Sequence, residues 1–224
     1  MNLLAFDTST TACSVSLLKS EALFSQHKVA PMQQAALILP MIEELLKNAD
    51  LSLAELDAIA FGCGPGSFTG IRIASSVAQG ISFAYSLPII QISSLAVIAQ
   101  AAYDERQWSQ LMVSVDARME QVYWATYAVN QQGLVELIGQ ETACDPLSVP
   151  MPKNEGLTQN LWYGVGDAWE CYKDQLIGCV GFQPVAIAAN QAAHAAAMIK
   201  LAKAQIESGT KGITAALVAP VYLR

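Results

Sequence analysis

Short apolar runs closed by an acid open the chain and recur in its middle. Leu3 to Phe6 is such a run, ending in Asp7. Thr8-Ser9-Thr10-Thr11 then supply turn chemistry, and Cys13, Val15 and Leu17 alternate with Ser14 and Ser16. A period of two on either side of a turn predicts a β-hairpin with a carboxylate and hydroxyls at its tip, followed by a third strand around Ala22 to His27. After Pro31 the period changes: Ala35, Leu39, Ile42 and Leu46 recur every three or four residues with Glu43, Glu44 and Lys47 opposite, which predicts an amphipathic helix. Asp57 to Phe61 reads as a buried strand running into a loop, Gly62 to Gly70, dense in turn residues. Ile71 to Tyr85 predicts the next helix and Leu87 to Ile92 the next strand. Ser93 or Ser94 caps a helix from Leu95 to about Tyr103.

A second start follows the polar patch Asp104-Glu105-Arg106-Gln107. Met112 to Val115 ends in Asp116, a turn occupies Ala117 to Glu120, and Val122 to Tyr127 is again strand-like. Strand, acid, turn and strand thus occur twice, at Asp7 and at Asp116. An internal duplication and a chance match of two hairpins both stay open on this pattern. Pro146 to Thr158 reads as a loop, Leu161 to Gly164 as a strand, Gly166-Asp167 as a turn opening a helix, and the region of Ile177 as a short strand. An Ala-rich helix is expected over Asn190 to Glu207 with Gly209 as its stop signal, and Val218 to Arg224 is extended.

Composition narrows the functional classes. Charged residues are 14% of the 224 and apolar ones 53%, while 12 Lys and Arg against 19 Asp and Glu leave a net charge of −7. That is too apolar for a disordered chain, and too acidic for a solo grip on a nucleic-acid backbone, which clustered Lys and Arg must supply. The start lacks the basic region of a secretory signal, and five cysteines with no CxxC pair read as free cytosolic thiols, so a cytoplasmic protein is expected. From Ala58 to Tyr103 the only charge is Arg72. Ser75, Ser76, Gln79, Gly80, Ser82 and Pro88 interrupt this stretch, which favours a buried helix-strand-helix over a membrane span.

Candidate chemistry is sparse. The glycine loop joins a strand to a helix, where backbone N–H groups can hold an anion. It matches neither a dinucleotide fingerprint nor a P-loop, and a tight turn for close packing reads equally from the residues. The two histidines, His27 and His194, sit in a strand-like and a helical segment, and no carboxylate stands at zincin spacing. The helix from Ile71 to Tyr85 is apolar all round, which requires burial on more than one face. The first helix or a second subunit could cover it, and Ala74, Ser75, Ala78 and Ser82 would permit close helix approach.

Four blocks together resemble a known family. Leu3 to Ser9 with Ala12-Cys13-Ser14-Val15, Gly64-Pro65-Gly66-Ser67-Phe68-Thr69-Gly70-Ile71-Arg72-Ile73, Asp116-Ala117-Arg118-Met119 with Val122-Tyr123, and Pro220 to Arg224 look like the bacterial TsaB family, accessory subunits for making threonylcarbamoyl-adenosine in tRNA. The resemblance implies an actin/Hsp70/sugar-kinase-like α/β fold of two related domains, each opening on a β-hairpin, here over 1–103 and 104–224, with the second reduced and the end segment able to pack back on the first. Asp7, Thr8, Ser9, Gly64, Gly66 and Asp116 then stand at vestigial phosphate-loop positions. The catalytic paralogue TsaD carries a metal-binding pair of histidines; the matching positions here are Ser94 and Ile98, so no metal site is expected.

The same resemblance implies a non-catalytic scaffold that activates TsaD, with the ATPase TsaE as a further partner and a homodimer when alone. It implies no cofactor of its own, ATP and magnesium entering only at a complex interface, and no tight direct tRNA binding. The family pairs through its first two helices, for which Ala35, Leu39, Ile42, Ala74, Val77, Ala78 and Ile81 are the expected contacts. Ala74→Arg with Ala78→Glu is accordingly expected to abolish binding to the paralogue and leave the monomer folded. The competing functions are a metallopeptidase, which two separated histidines do not support, and a nucleotide-binding regulator, for which Asp7, Gly64, Gly66 and Asp116 are the candidates. The sequence leaves the roles of Arg72 and Arg118 open.

Overall fold

The computed structural model describes residues 1–152 and 161–223. Two compact units emerge: Met1–Val97 with Ala193–Val221, and Ile98–Ala192 with the terminal residues. The division falls within a helix, and the first unit is discontinuous in sequence.

In the first unit β1 (Asn2–Asp7), β2 (Ala12–Lys19) and β3 (Ala22–Val29) form an antiparallel meander, and β4 (Ala58–Gly62) and β5 (Ile89–Ile92) add in parallel, giving the order β3-β2-β1-β4-β5. Register pairs Asp7 with Ser14 and Phe6 with Phe61. Strand residues of one parity, Leu4, Phe6, Val15, Leu17, Ile59 and Phe61, form one cluster with α1 (Gln34–Asn48) and α2 (Phe68–Tyr85). Residues of the other parity lie on the opposite face. There Ser14 Oγ accepts a 2.9 Å bond from the Ala195 N–H, at the start of α6 (Ala195–Glu207). The central strands β1, β2 and β4 are therefore buried on both faces, which is why β1 and β4 read as near-continuous apolar runs.

The segment after α6 straps across the same unit. Ile213 pairs with Ile89 on the sheet edge, Gln79 donates to the Ala215 and Val218 carbonyls, Gln91 to that of Ala219, and the Val221 N–H to that of Cys63 at 2.8 Å. An edge strand left bare would template aggregation; here the chain's own end occupies it.

The second unit repeats the plan. α3 (Ser94–Arg106) leads to β6 (Gln110–Arg118), β7 (Gln121–Val129) and β8 (Val135–Cys144), an antiparallel meander, and β9 (Tyr163–Val165) and β10 (Ile187–Ala188) add in parallel in the order β8-β7-β6-β9-β10. Strand order and directions equal those of the first sheet, and Asp116 near the end of β6 answers Asp7 at the end of β1. This is a duplication, and the fold is actin/Hsp70/sugar-kinase-like. Trp124, Trp162 and Trp169 fill this core with α4 (Ala168–Cys171) and α5 (Lys173–Val180), the Trp169 indole N–H reaching the Met112 carbonyl at 3.1 Å.

Three local expectations are corrected. Ile177 lies in α5, where Leu176 and Val180 are buried one turn apart and Gly181 ends the helix at φ 77°, so the region is helix and not strand. The Ala-rich helix begins at Ala195, because His194 is extended and the Ala195 N–H is bound by Ser14. Strand β8 was not expected: Glu136, Gln140 and Glu141 interrupt its apolar pattern, and pairing with β7 makes it a strand. Of the expected loop Pro146 to Thr158, the first residues form a short 3-10 turn, and Lys153 to Thr158 lie outside the described residues.

Candidate functional site

The tip of the first hairpin is closed by its own chain. Asp7 is 1% exposed. Its Oδ1 accepts from the Ser9 N–H and the Ser9 hydroxyl, both at 2.7 Å, and its Oδ2 from the Ser94 hydroxyl at 3.0 Å. Burial raises the Asp7 carboxyl above the usual carboxylate range, outweighing these three donors. The same burial, with the Asp7 charge, pushes the neighbouring Cys13 thiol up to about 12. Ser94 was expected at the position of a metal-ligating histidine; its hydroxyl instead secures Asp7, while Ile98 is a buried core residue. Among the described residues no three His, Cys, Asp or Glu side chains are placed to hold a metal ion.

The glycine loop packs directly on this tip. Ser67, which caps α2, donates its N–H to the Ser9 carbonyl at 2.8 Å, and the Thr8 hydroxyl donates to the Gly70 carbonyl at 2.7 Å. Each glycine marks a close approach. A Cβ on Gly62 would collide with the Asp7 carboxylate and one on Gly70 with the Thr8 carbonyl, while one on Gly66 would stand 2.7 Å from the Ser9 carbonyl oxygen. Gly64 adopts φ 104° against the Val221 carbonyl. The glycines are thus required by packing between hairpin, helix and C-terminal strap, and Asp7 presents no open face to a ligand.

The second hairpin tip differs. Asp116 accepts from the Arg118 N–H at 2.9 Å, pairs with the Arg118 guanidinium at 3.3 Å, and donates its own N–H to Asp167 Oδ1 at 2.9 Å. Arg118, Met119 and Glu120 all adopt positive φ, and Met119 is almost fully exposed. None of the three is a glycine or asparagine, so the turn holds strain that those residues would relieve.

The expected partner contacts divide into two sets. Ile42, Ala74, Ala78 and Ile81 belong to the core cluster; Ala74 and Ala78 have no exposed surface at all. Their smallness lets α2 approach the protein's own sheet, so they are not available to a partner, and charging them would unfold the unit and not merely uncouple it. Ala35, Leu39 and Val77 stand on the other side. With Phe68, Arg72 and Ile73 they border a mainly apolar groove of about 470 Å³ between α1 and α2. Phe68 and Leu39 are more than half exposed, and the Arg72 guanidinium lies 3.4 Å from the centre of the Phe68 ring.

His27 and His194 are far apart in the sequence, one expected in a strand and the other in a helix. The structure stacks them, ring centroids 4.0 Å apart and nearly parallel, where β3 meets the start of α6. No spacing rule links residues this distant in sequence; only the docking of α6 on the sheet brings them together. No helix among the described residues is long and apolar enough to cross a membrane.

Comparison with known proteins agrees with this architecture. Residues 20–224 match the family model described as TsaD, tRNA N6-adenosine threonylcarbamoyltransferase. The chain is 35% identical over 230 residues to the tRNA threonylcarbamoyladenosine biosynthesis protein TsaB of Haemophilus influenzae, covering 100% of this chain and 94% of that one. It is 36% identical over 176 residues to TsaB of Escherichia coli, 78% of this chain and 74% of that one. Among solved structures it superposes on YeaZ from Pseudomonas aeruginosa with a TM-score of 0.90 at 40% identity, covering 99% of both chains.

Proposed function

Since the chain belongs to the TsaB family, we propose that it serves threonylcarbamoyl-adenosine formation in tRNA as a non-catalytic scaffold that binds and activates TsaD, with TsaE as a further partner. The observation that carries this reading is the contrast between two surfaces. Asp7, at the expected vestigial phosphate-loop position, is sealed by Ser9 and Ser94, whereas α1 and α2 leave an apolar groove open to a partner. Exposed apolar surface of this kind marks interaction sites on otherwise soluble folds. The chain pairs with itself when alone and with the paralogue in the working complex, acts in the cytoplasm, and leaves ATP, magnesium and tRNA to its partners.

Reconstitution tests it. Supplied with an activated threonylcarbamoyl donor, ATP and magnesium, TsaD and TsaE with this chain should modify tRNA, the chain alone should not, and omission of the chain should stop the reaction. Leu39→Asp, which charges the groove without touching the core, should abolish stimulation while the melting temperature stays near wild type. Full modification by TsaD and TsaE without the chain would overturn the scaffold reading. Calorimetry of the isolated chain with ATP and magnesium should give no binding heat.

A further inference from the structure

The chain has two histidines in 224 residues, and the fold brings both to one place. Register sets Asp7 of β1, Ser14 of β2 and His27 of β3 in one row across the first sheet, and residues paired in this way share a face. α6 lies on that face. The Ser14 hydroxyl oxygen accepts the Ala195 N–H, and His194, the residue before it, is the N-cap of the helix. The chain re-enters the first unit at Ala193, so the 4.0 Å stack of His194 on His27 fastens the first residues after that crossing. His27 is exposed and His194 half-buried, so protons reach the pair from solvent.

We propose that this stack is a pH-sensitive latch, holding the start of α6 on the sheet while at least one ring is neutral and releasing it when both are protonated. Imidazoles take up protons as pH falls through about 6.5. A neutral ring stacks on a neutral or a charged one, whereas two charged rings 4.0 Å apart repel. At an effective dielectric between that of water and that of a protein surface, like charges at this spacing shift an opening equilibrium by about fivefold to several hundredfold. The helix acts in the same direction, because a cation at the N-cap faces the positive end of its dipole. The titratable groups of the surrounding elements do not reverse this. On the shared face β1 brings Asp7, whose oxygens are held by Ser9 and Ser94. Cys13 and Lys19 of β2 and Lys28 of β3 alternate to the other face, where α1 carries Glu43, Glu44 and Lys47, and Glu21 sits in the turn at the far end of β3. α6 brings Lys200, Lys203 and Glu207, all beyond its first turn, and β4, β5 and residues 187–193 bring no titratable group.

Amide exchange of the full chain, followed residue by residue by NMR and expressed as protection factors, tests the latch. The Ala195 N–H donates to Ser14, and the Ala197 and Met198 N–H groups donate to the His194 carbonyl, so these three report on the start of α6. The amides of β6, central in the second sheet, are the internal reference. Between about pH 7.5 and about pH 5 the protection of the three should fall at least about tenfold in wild type, while that of β6 changes by less than about twofold. His27→Gln and His194→Gln each leave a single imidazole, and each should remove this acid response whatever its protection at the higher pH. Asp7 acts in the opposite sense, since its protonation as pH falls favours the fold; it does not account for a loss. A flat wild-type profile overturns the latch. An acid loss that persists at wild-type size in either single variant, or one shared equally by β6, overturns it as well.

Discussion

One substitution made twice on the same helix should have opposite effects, and the difference measures how tightly the glycine loop is locked to the hairpin. Gly70 and Gly80 both lie in α2, so Gly→Ala brings the same gain in helix propensity, about 0.5–1 kcal/mol. At Gly80 nothing opposes it, and the melting temperature of a dilute, monomeric chain should rise by about 1–4 °C. At Gly70 the new methyl collides with the Thr8 carbonyl, a backbone atom that moves only with the hairpin. Relieving the collision parts Thr8 Oγ1 from the Gly70 carbonyl (2.7 Å), Ser67 N–H from the Ser9 carbonyl (2.8 Å) and Gly70 N–H from the Ser67 hydroxyl (3.4 Å). At about 1 kcal/mol net for each bond, with a further cost for groups left buried without partners, the loss exceeds the propensity gain by about 2–3 kcal/mol. That corresponds to a fall of about 4–12 °C for a chain of this size. Thermal melts followed by far-UV circular dichroism read both shifts. A Gly70→Ala chain melting within a degree or two of wild type would refute the packing account of the loop.

Three further outcomes follow from the described contacts. Because burial raises the folded-state value of Asp7, protonated Asp7 favours the fold below the unfolded carboxylate range, and that contribution is lost as pH rises through the raised value; Asp7→Asn, which keeps the Ser9 and Ser94 partners, should therefore gain thermal stability over wild type as pH rises above about 4, and a pH-independent difference would refute it. The Cys13 thiol, pushed up to about 12 and fully buried, and buried Cys63 should resist alkylation at mildly alkaline pH in the native chain while exposed Cys171 reacts, all five becoming reactive in denaturant; mass spectrometry of labelled peptides reads this directly. Replacing Met119-Glu120 by Asn-Gly relieves two positive-φ residues and should stabilise the chain by about 1–2 kcal/mol, read from urea melts; no gain would mean that the turn carries no strain.

The duplicated plan was legible because it rests on local signals. A period of two, an acid and a turn recur around Asp7 and Asp116, and the sheets they nucleate have the same order. Strand β8 escaped because its charges break the period, and only β7 gives it a partner. Helix faces were harder. In α2 apolar residues surround the axis, so periodicity marks burial on several sides without saying which side meets the sheet. Ala74 and Ala78 were assigned to a partner because small residues permit close approach; the approach they permit is to β1 and β4. Gly62, Gly66 and Gly70 likewise carried two readings, and only the positions of Asp7, Thr8 and Ser9 distinguish a packing glycine from an anion cradle.

The discontinuity of the first unit also bears on synthesis. Ribosomes deliver residues 1–97 early, but α6 and the strap are completed only at Val221. At about 5–20 residues per second this leaves a delay of roughly 6–25 seconds. During it the face of the first sheet that α6 will cover has no helix from its own chain, and the β5 edge lacks Ile213. The second unit is continuous from Ile98 to Ala192 and is free to fold in that interval, so the part made first is finished last. A nascent chain stalled before Ala193 is consequently the species most in need of chaperone protection, and fusions that delay or tether the C-terminus should lower soluble yield more than fusions at Met1.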